Sequence, residues 1–319
     1  MSHRPITVKF VDFWQSFDCA DNRFVAALRT QRQVTVLPPE STDVPDILFY
    51  SRGPGCRHLG YDCLKIYFTG ENDFPDFNEC DYALSFYQSD CGGRNMRYPL
   101  YMLYECDLAA NPPQHADDEA TRREFCSLVM SNAVNCHPHR LEIVDAVEAY
   151  RPIAYGGTFR NNVGGRVADK IDFIGHYKFN LALENSVMPG YVTEKLLEPF
   201  AAATVPIYWG SDTAKSDFNP EAYIDVNDYD TLDSFVSDLR RIDGDPAAYL
   251  SILRAPSRVG DTVIDFDSRL AEFLNAIADN PVRRISPYGE IHNLQQRNRT
   301  LVPLWHSRLG RRFARLFAK

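Results

Sequence analysis

The chain has 319 residues, a formal net charge of −9 and 45% hydrophobic residues, which is ordinary for a globular protein. A length above about 250 to 300 residues favours two domains. The sequence has no run of about 18 apolar residues and starts without a charged-then-apolar leader, so it predicts neither a membrane span nor a secretory signal. The acidic balance argues against nucleic-acid binding as the main function.

The first half alternates short apolar strands with a helical segment, as is typical of a Rossmann-like open sheet. Residues 105–121 lack apolar periodicity and predict a surface excursion. The acidic run Asp117-Asp118-Glu119 within it is interpreted as a solvated tip rather than a metal motif. The predicted strands are residues 6–13, 34–37, 47–51, 64–69 and 82–86, and the predicted helix is residues 23–30.

The centre of the chain predicts a further strand at 127–131, a helix at 139–150 and a turn-rich stretch at 155–165. That stretch holds four glycines, which suit a backbone that lies close to a ligand. The domain boundary is predicted near residue 150, and any crossover between 134 and 155 fits the pattern. The second half continues with a strand at 223–226 and helices at 232–241, 246–255 and 266–278.

Cysteine and histidine spacing gives no metal signature. All eight cysteines precede residue 137 without a CxxC pair, and the eight histidines show neither HxxxH nor HExxH spacing. We interpret the cysteines as reduced thiols of a cytoplasmic protein, with disulfides or a metal site as the alternative.

The most informative stretch is 178–210, where a strand, a polar loop, a helix and a second strand follow one another. Glu184-Asn185-Ser186 ends the first strand, Thr193 can cap the helix, and residues 205–209 form the next strand. Such a unit crosses over in a parallel sheet, so the helix N-terminus faces the crevice at the strand ends. Free N–H groups and Lys195 there favour an anionic ligand such as a phosphate.

These residues closely resemble the signature of the alpha-1,3/4-fucosyltransferases, whose pattern is FxLxFEN, YxTEK and VPxxxG. The chain has FNLALEN at 179–185, YVTEK at 191–195 and VPIYWG at 205–210, and departs only at Leu183, where the family usually has Phe. Thr69-Gly70-Glu71-Asn72 is similar to the family's TGEN element, and residues 156–161 are similar to its arginine loop. The resemblance covers roughly residues 5 to 280 and is strongest to the bacterial branch.

The resemblance implies an α/β fold of the GT-B type, with two Rossmann-like domains facing each other across a cleft. Residues 1–150 would bind the acceptor and residues 151–280 would bind GDP-fucose, followed by a tail at 281–319. It also implies inverting transfer of L-fucose to the 3-hydroxyl of GlcNAc or Glc in a galactosyl acceptor, as in Lewis x-type or lipopolysaccharide O-antigen synthesis. No obligatory cofactor or metal is expected, because two cations replace it.

By resemblance, Glu71 matches the general base, Arg160 and Lys195 match the diphosphate-binding pair, and Glu194 matches a contact to the fucose or the ribose. Partial burial of Glu71 is expected, because a carboxylate in water is a weak base at pH 7. Each residue also has a structural interpretation. Glu71 can cap a turn, Arg160 can be a solvated loop cation, and Glu194 suits any helix N-terminus.

Asn185 and Tyr191 are expected to contact the donor through amide and phenol hydrogen bonds, and Glu184 to bind guanosine or ribose hydroxyls. The alternative for these three residues is a satisfied polar cluster at a strand end.

The tail predicts a basic amphipathic helix. Residues 297–319 carry seven cations and no acid, opposite apolar residues that recur every four positions from Leu301 to Phe317. Such a helix can lie on an anionic membrane surface, which predicts a cytoplasmic protein that is peripheral on the inner membrane. Docking of the tail on the acidic body, within one molecule or between subunits, is the alternative.

Three other functions compete with this prediction. Alpha-1,4-fucosyl transfer and an inactive glycan-binding protein both fit the same scaffold. An NAD(P)-dependent oxidoreductase is disfavoured because the GxGxxG fingerprint is missing. Acceptor choice is expected to reside in the loops at 52–62 and 86–98.

Overall fold

The computed structural model describes residues 3–53, 55–104, 123–131, 133–134, 136–258 and 266–285. The predicted surface excursion at 105–121 and the predicted amphipathic tail therefore lie outside the described residues, apart from the start of the tail at 281–285. None of the described helices is long and apolar enough to cross a membrane. The seven cysteines in the described part of the chain are free thiols.

The first sheet has six parallel strands in the order β2-β1-β3-β4-β5-β6. Helix α1 (Arg23–Arg29) begins after Asn22, whose side chain accepts the N–H groups of Phe24 and Val25. The strands are β1 (Ile6–Val11), β2 (Val34–Val36), β3 (Ile47–Tyr50), β4 (Leu64–Phe68), β5 (Tyr82–Ser85) and β6 (Asn95–Arg97). Short 3-10 helices at Arg57–Gly60 and Leu100–Leu103 complete this part.

The second sheet has five parallel strands in the order β11-β10-β9-β7-β8. Its strands are β7 (Glu124–Leu128), β8 (Ile153–Tyr155), β9 (Tyr177–Leu183), β10 (Val205–Trp209) and β11 (Ile224–Asp225). The later helices are α2 (Pro138–Tyr150), α3 (Lys170–Gly175), α4 (Glu194–Ala201), α5 (Ala214–Asp217), α6 (Leu232–Gly244), α7 (Pro246–Arg254) and α8 (Phe266–Asp279). Two further 3-10 helices are Pro220–Ala222 and Val226–Asp228.

Two parallel sheets confirm the predicted α/β fold, but the change of sheet comes earlier than the boundary predicted near residue 150. Strand β7 pairs with both β9 and β8, with Cys126 opposite Phe179 and Ile153. It begins at Glu124, three residues before the predicted strand. Residues 124–128 therefore already belong to the second sheet, because β7 pairs there with β8 and β9.

Helix α8 returns to the first sheet and packs on α1. The buried side chain of Asn275 donates to the carbonyl oxygen of Ala27 at 2.9 Å and accepts from Arg32 Nε at 2.9 Å. Part of the predicted segment 151–280 therefore belongs by packing to the first half of the molecule.

One hydrophobic core is continuous between the two halves. It joins Phe24 and Phe49 of the first sheet layer to Leu196 and Phe200 of α4. A second core lies on the other side of the second sheet, under α2 and α6. Helix α4 is thus packed against both halves, which fixes the position of its N-terminus.

Candidate functional site

Strand β9 and helix α4 place the predicted polar loop at the carboxyl edge of the second sheet. Strands β9 and β10 pair in parallel, with Phe179 opposite Val205 and Leu183 opposite Trp209. Thr193 is the N-cap of α4, and its side chain accepts the N–H of Lys195 at 3.4 Å. The predicted strand, loop, helix and strand unit is confirmed, with the N-terminus of α4 at a strand edge that suits anions.

Glu184 holds this loop in place from inside the protein. Its carboxylate is fully buried and accepts hydrogen bonds from the N–H of Thr193 at 2.7 Å and from its hydroxyl at 2.9 and 3.0 Å. Burial raises the pKa of Glu184, and the charge of Lys195 opposes that effect. Glu184 thus fits the alternative interpretation, a polar cluster at a strand end whose hydrogen bonds are made within the protein. Its side chain is buried and is not open to a ligand.

Lys195 lies between two carboxylates. Its Nζ is 3.2 Å from Glu194 Oε1 and 3.4 Å from Glu184 Oε2, and it donates to the Thr193 hydroxyl at 3.0 Å. Burial alone would lower the pKa of Lys195, but Glu184 and Glu194 raise it overall, so the amine stays charged. Glu184 and Glu194 therefore offset part of the positive charge of Lys195, the charge that is predicted above to attract an anionic ligand.

One carboxylate oxygen of Glu194 is buried and unsatisfied. Oε1 contacts Lys195, whereas Oε2 has no hydrogen-bond partner among the residues that the structure describes. Burial would raise the pKa of Glu194, but Lys195 and Lys170 lower it overall, so the carboxylate is ionised. A buried, ionised oxygen without a donor is costly, and a ligand hydroxyl can supply that donor.

Asn185 is tied to the start of helix α2. Its Oδ1 accepts from Arg140 Nη1 at 2.8 Å, and its carbonyl oxygen accepts the N–H of His137 at 2.8 Å. Arg140 is 3% exposed, and its burial lowers its pKa. Arg140 was not predicted as a site residue, because its position on a helix 45 residues before Asn185 carries no local signal.

Tyr191 and Gly190 join the loop to the first half of the molecule. The Tyr191 ring is buried and packs edge-to-face on Phe86 at 5.4 Å between ring centroids, and burial raises the pKa of its phenol. Gly190 has φ +90°, and a Cβ there would lie 2.1 Å from the carbonyl oxygen of Phe86. Only glycine fits this close approach.

Glu71 lies in the loop after β4, where its N–H donates to the Thr69 hydroxyl at 3.1 Å. The side chain of the next residue, Asn72, donates to the hydroxyl of Ser186 in the loop between β9 and α4. Glu71 is also close enough to raise the pKa values of Tyr191 and Tyr104 by its charge, in addition to the larger effect of their burial. Glu71 itself is exposed, so the partial burial expected for it is not found.

Arg160, the remaining predicted site residue, forms its ion pair away from Glu194 and Lys195. Its backbone is left-handed with φ +47°, and its Nη1 is 2.6 Å from Asp145 Oδ1 on helix α2. The guanidinium therefore pairs with a carboxylate on α2 and not with Glu194 among the described residues. The glycine-rich loop that carries it packs tightly, since a Cβ on Gly157 would lie 2.0 Å from the carbonyl oxygen of Met130.

The structure therefore brings Glu184, Asn185, Tyr191, Glu194 and Lys195 into one cluster, with Glu71 facing it from the first half. Within the described part of the chain, no group of three or more His, Cys, Asp or Glu side chains is arranged to hold a metal ion. The cluster provides an N-terminal helix turn, a charged amine and a carboxylate oxygen in need of a donor.

Two family models match the chain in order. Residues 8–104 match "Alpha-(1,3)-fucosyltransferase FucT N-terminal domain", and residues 120–258 match "Glycosyltransferase family 10 (fucosyltransferase) C-term". The solved "Crystal Structure of alpha1,3-Fucosyltransferase with GDP-fucose" superposes with a TM-score of 0.73 at 26% identity, over 88% of this chain and 93% of that one. The GT-B arrangement of the two sheets follows from this similarity.

A bacterial and a plant fucosyltransferase are also similar to this chain in sequence. The alpha-(1,3)-fucosyltransferase FucT of Helicobacter pylori is 30% identical over 78% of this chain, and the alpha-(1,4)-fucosyltransferase of Arabidopsis thaliana is 30% identical over 65%. The matched region spans 59% and 54% of the length of these two relatives. With both halves matched by fucosyltransferase models and the fold shared with a solved fucosyltransferase, the chain belongs to glycosyltransferase family 10, the fucosyltransferases.

Proposed function

We propose that this protein transfers L-fucose from GDP-fucose, with inversion, to the 3-hydroxyl of GlcNAc or Glc in a galactosyl acceptor. Glu71 is the general base, Lys195 and Arg160 bind the diphosphate, and Glu194 binds a hydroxyl of the donor. Asn185 and Tyr191 complete the donor site as positioning residues, and the buried Glu184 holds the loop that carries them.

The observation that carries the proposal is the contact between the two loops. Asn72 donates to Ser186, so the loop with Glu71 is fixed against the loop that leads to Lys195. A base from one half thus faces a cationic helix N-terminus from the other. Inverting transfer needs this arrangement, because the acceptor hydroxyl attacks the sugar from the side opposite to the leaving group.

The donor site needs more positive charge than Lys195 alone provides. Lys195 is already flanked by Glu184 and Glu194, whereas Arg160 forms an exposed pair with Asp145 and lies over the ring of Phe159 at 4.9 Å. Exposed pairs contribute about 0 to 1 kcal/mol, so the Arg160 guanidinium can exchange Asp145 for a diphosphate at little cost. Its planar fork suits two phosphate oxygens.

The chemical step is a single displacement. The Glu71 carboxylate takes the proton of the acceptor hydroxyl, the oxygen forms a bond to the anomeric carbon of fucose, and the bond to GDP breaks. The developing charge on the diphosphate is stabilised by Lys195, Arg160 and the positive end of the α4 helix dipole. Acceptor binding covers the exposed Glu71 and brings the acceptor hydroxyl within reach of its carboxylate.

The proposal also specifies which hydroxyl of the acceptor receives fucose. Similarity to a protein named alpha-(1,3)-fucosyltransferase FucT supports the 3-hydroxyl, and the Arabidopsis relative named alpha-(1,4)-fucosyltransferase keeps 4-linkage as the second candidate.

The test is incubation of the full chain with GDP-fucose and, separately, lactose, N-acetyllactosamine and its type 1 isomer, followed by linkage analysis. Fucose on the 3-hydroxyl of GlcNAc or Glc is the expected product. A 4-linked product selects the second candidate. Absence of both transfer and GDP release with all three acceptors would overturn the proposal and leave a glycan-binding role on this scaffold.

We further propose that residues 297–319 hold the protein on the cytoplasmic surface of an anionic membrane. The support is the sequence pattern of seven cations and no acid opposite an apolar stripe. The full chain should sediment with vesicles that contain about 30% anionic lipid and stay in solution with neutral vesicles. A chain that ends at residue 296 is the control, and equal sedimentation of both chains would contradict the proposal.

A further inference from the structure

A cavity of about 560 Å³ lies in the first half, between the loop that follows β1 and the end of the 3-10 helix Leu100–Leu103. Two of its lining side chains are large exposed rings, Trp14 at 42% and Tyr104 at 43% exposure. This volume lies within the range of about 300 to 1,000 Å³ that is usual for small-ligand sites.

Trp14 is supported by neighbouring rings and remains partly exposed. Its ring packs edge-to-face on Phe17 with centroids 5.1 Å apart, and it lies 5.7 Å from the ring of Phe13 and 6.3 Å from that of Phe68. It is 42% exposed and lines the cavity. A supported ring of this kind gives a flat apolar platform at little entropic cost.

Both aromatic walls lie beside the loop that carries Glu71. Phe68, against which Trp14 packs, ends strand β4 three residues before Glu71. On the other side, a Cβ on Gly70 would lie 2.5 Å from Leu100 Cδ1, so the same loop packs on the helix that leads to Tyr104. Burial raises the pKa of Tyr104 to about 12, and the charges of Glu194, Glu198 and Glu71 add to this effect.

The polar lining of the cavity is acidic. Asp18 and Asp21 line it, and Arg23, the one lysine or arginine among the described lining residues, is paired with Asp267 at 2.5 Å. The N–H groups of Asp21 and Ala20 lower the pKa of Asp18, so this carboxylate stays ionised. Carboxylates accept hydrogen bonds from sugar hydroxyls, but they repel ligands with a negative charge.

We propose that this cavity binds the neutral acceptor sugar next to the hydroxyl that receives fucose, with Trp14 stacked on a pyranose face and with Asp18 and Asp21 disfavouring acidic sugars. The inference rests on the proposed fucosyl transfer and adds the position and charge preference of the acceptor. It assigns acceptor choice to the loop at 12–22, which lies outside the segments at 52–62 and 86–98 that the sequence indicated.

The test compares Trp14→Ala with Trp14→Phe and with Phe74→Ala in the full chain. Phe74 is a matched control, because it is 45% exposed and lines a separate cavity of about 520 Å³ beside Tyr50 and His58. We expect Trp14→Ala to raise the KM for N-acetyllactosamine about tenfold or more, and Trp14→Phe to keep it within about threefold. The KM for GDP-fucose and the release of GDP without acceptor should stay unchanged.

An unchanged acceptor KM in Trp14→Ala would overturn the inference, and so would a larger rise of this KM in Phe74→Ala. As long as the parent transfers fucose, either result leaves the proposed function intact. A parent that transfers no fucose refutes the proposed function instead.

The charge preference is tested with the double variant Asp18→Asn/Asp21→Asn and a sialylated acceptor. The kcat/KM ratio of sialylated to neutral acceptor should rise about fivefold or more, and an unchanged ratio contradicts this part.

Discussion

Arg97 binds Asp217 through two parallel hydrogen bonds, with Nη1 2.9 Å from Oδ1 and Nη2 2.6 Å from Oδ2. The pair is buried and joins the edge strand β6 of the first sheet to helix α5 of the second half. Arg97 Nη2 also donates to the carbonyl oxygen of Gly190 at 3.0 Å, just before Tyr191. One guanidinium thus connects the first sheet to the loop that leads into the donor site.

Arg97→Ala should therefore destabilise the protein by about 3 to 5 kcal/mol, because Asp217 is left buried and uncompensated. Arg97→Lys should cost less, since it keeps the charge but loses the planar fork. The free energy of unfolding in urea measures both. Arg241→Ala is the control, because its pair with Asp238 is exposed to solvent and its loss should leave the free energy of unfolding nearly unchanged. Equal stability of Arg97→Ala and Arg241→Ala would contradict this role.

Lys195→Met should destabilise the protein by about 3 kcal/mol, because the buried Glu184 loses its compensating charge. Adding Glu184→Gln should restore about 1 to 3 kcal/mol, since the amide carries no charge. The double variant should fold but bind GDP-fucose poorly, as measured by calorimetry. Strictly additive losses in urea unfolding would show that the two residues do not depend on each other.

Glu71→Gln should lower kcat by about 10² to 10⁴, the usual contribution of a general base. Because Glu71 is exposed, the variant should unfold at the same urea concentration as the parent and bind GDP-fucose with the same Kd. Glu142→Gln is the control, an exposed carboxylate on α2. Transfer by Glu71→Gln at the parent rate would assign the base to another residue.

The sequence predicted the elements of the donor site better than the contacts between them. Alternation and the cap at Thr193 indicated strand β9, helix α4 and strand β10, because these signals are local. The pair of Arg97 with Asp217 spans 120 residues and has no local pattern. The sequence also did not predict that Glu184 is buried, because the presence of a glutamate at a strand end does not indicate how much of its side chain is exposed.

Asp243, near the end of α6, gives a prediction about acid stability. Its carboxylate is buried and binds Lys178 Nζ at 2.6 Å, Tyr150 at 2.9 Å and Arg151 at 2.5 Å. Burial would raise the pKa of Asp243, but the hydrogen bonds from Lys178, Arg151 and Tyr150 lower it overall. The unfolded chain, with an ordinary aspartate pKa of about 3.9, then takes up the proton first as the pH falls.

The stabilisation by Asp243 is therefore complete above that unfolded value and is lost as the pH falls through the lower folded pKa. Asp243→Asn should cost about 3 kcal/mol at pH 7, because Lys178 stays charged and buried without its partner. The difference from the parent should shrink below about pH 4, in urea unfolding measured from pH 7 to pH 3. Asp172→Asn, at an exposed carboxylate, should track the parent throughout. A deficit of Asp243→Asn that stays constant down to pH 3 would mean that the ion pair does not control acid stability.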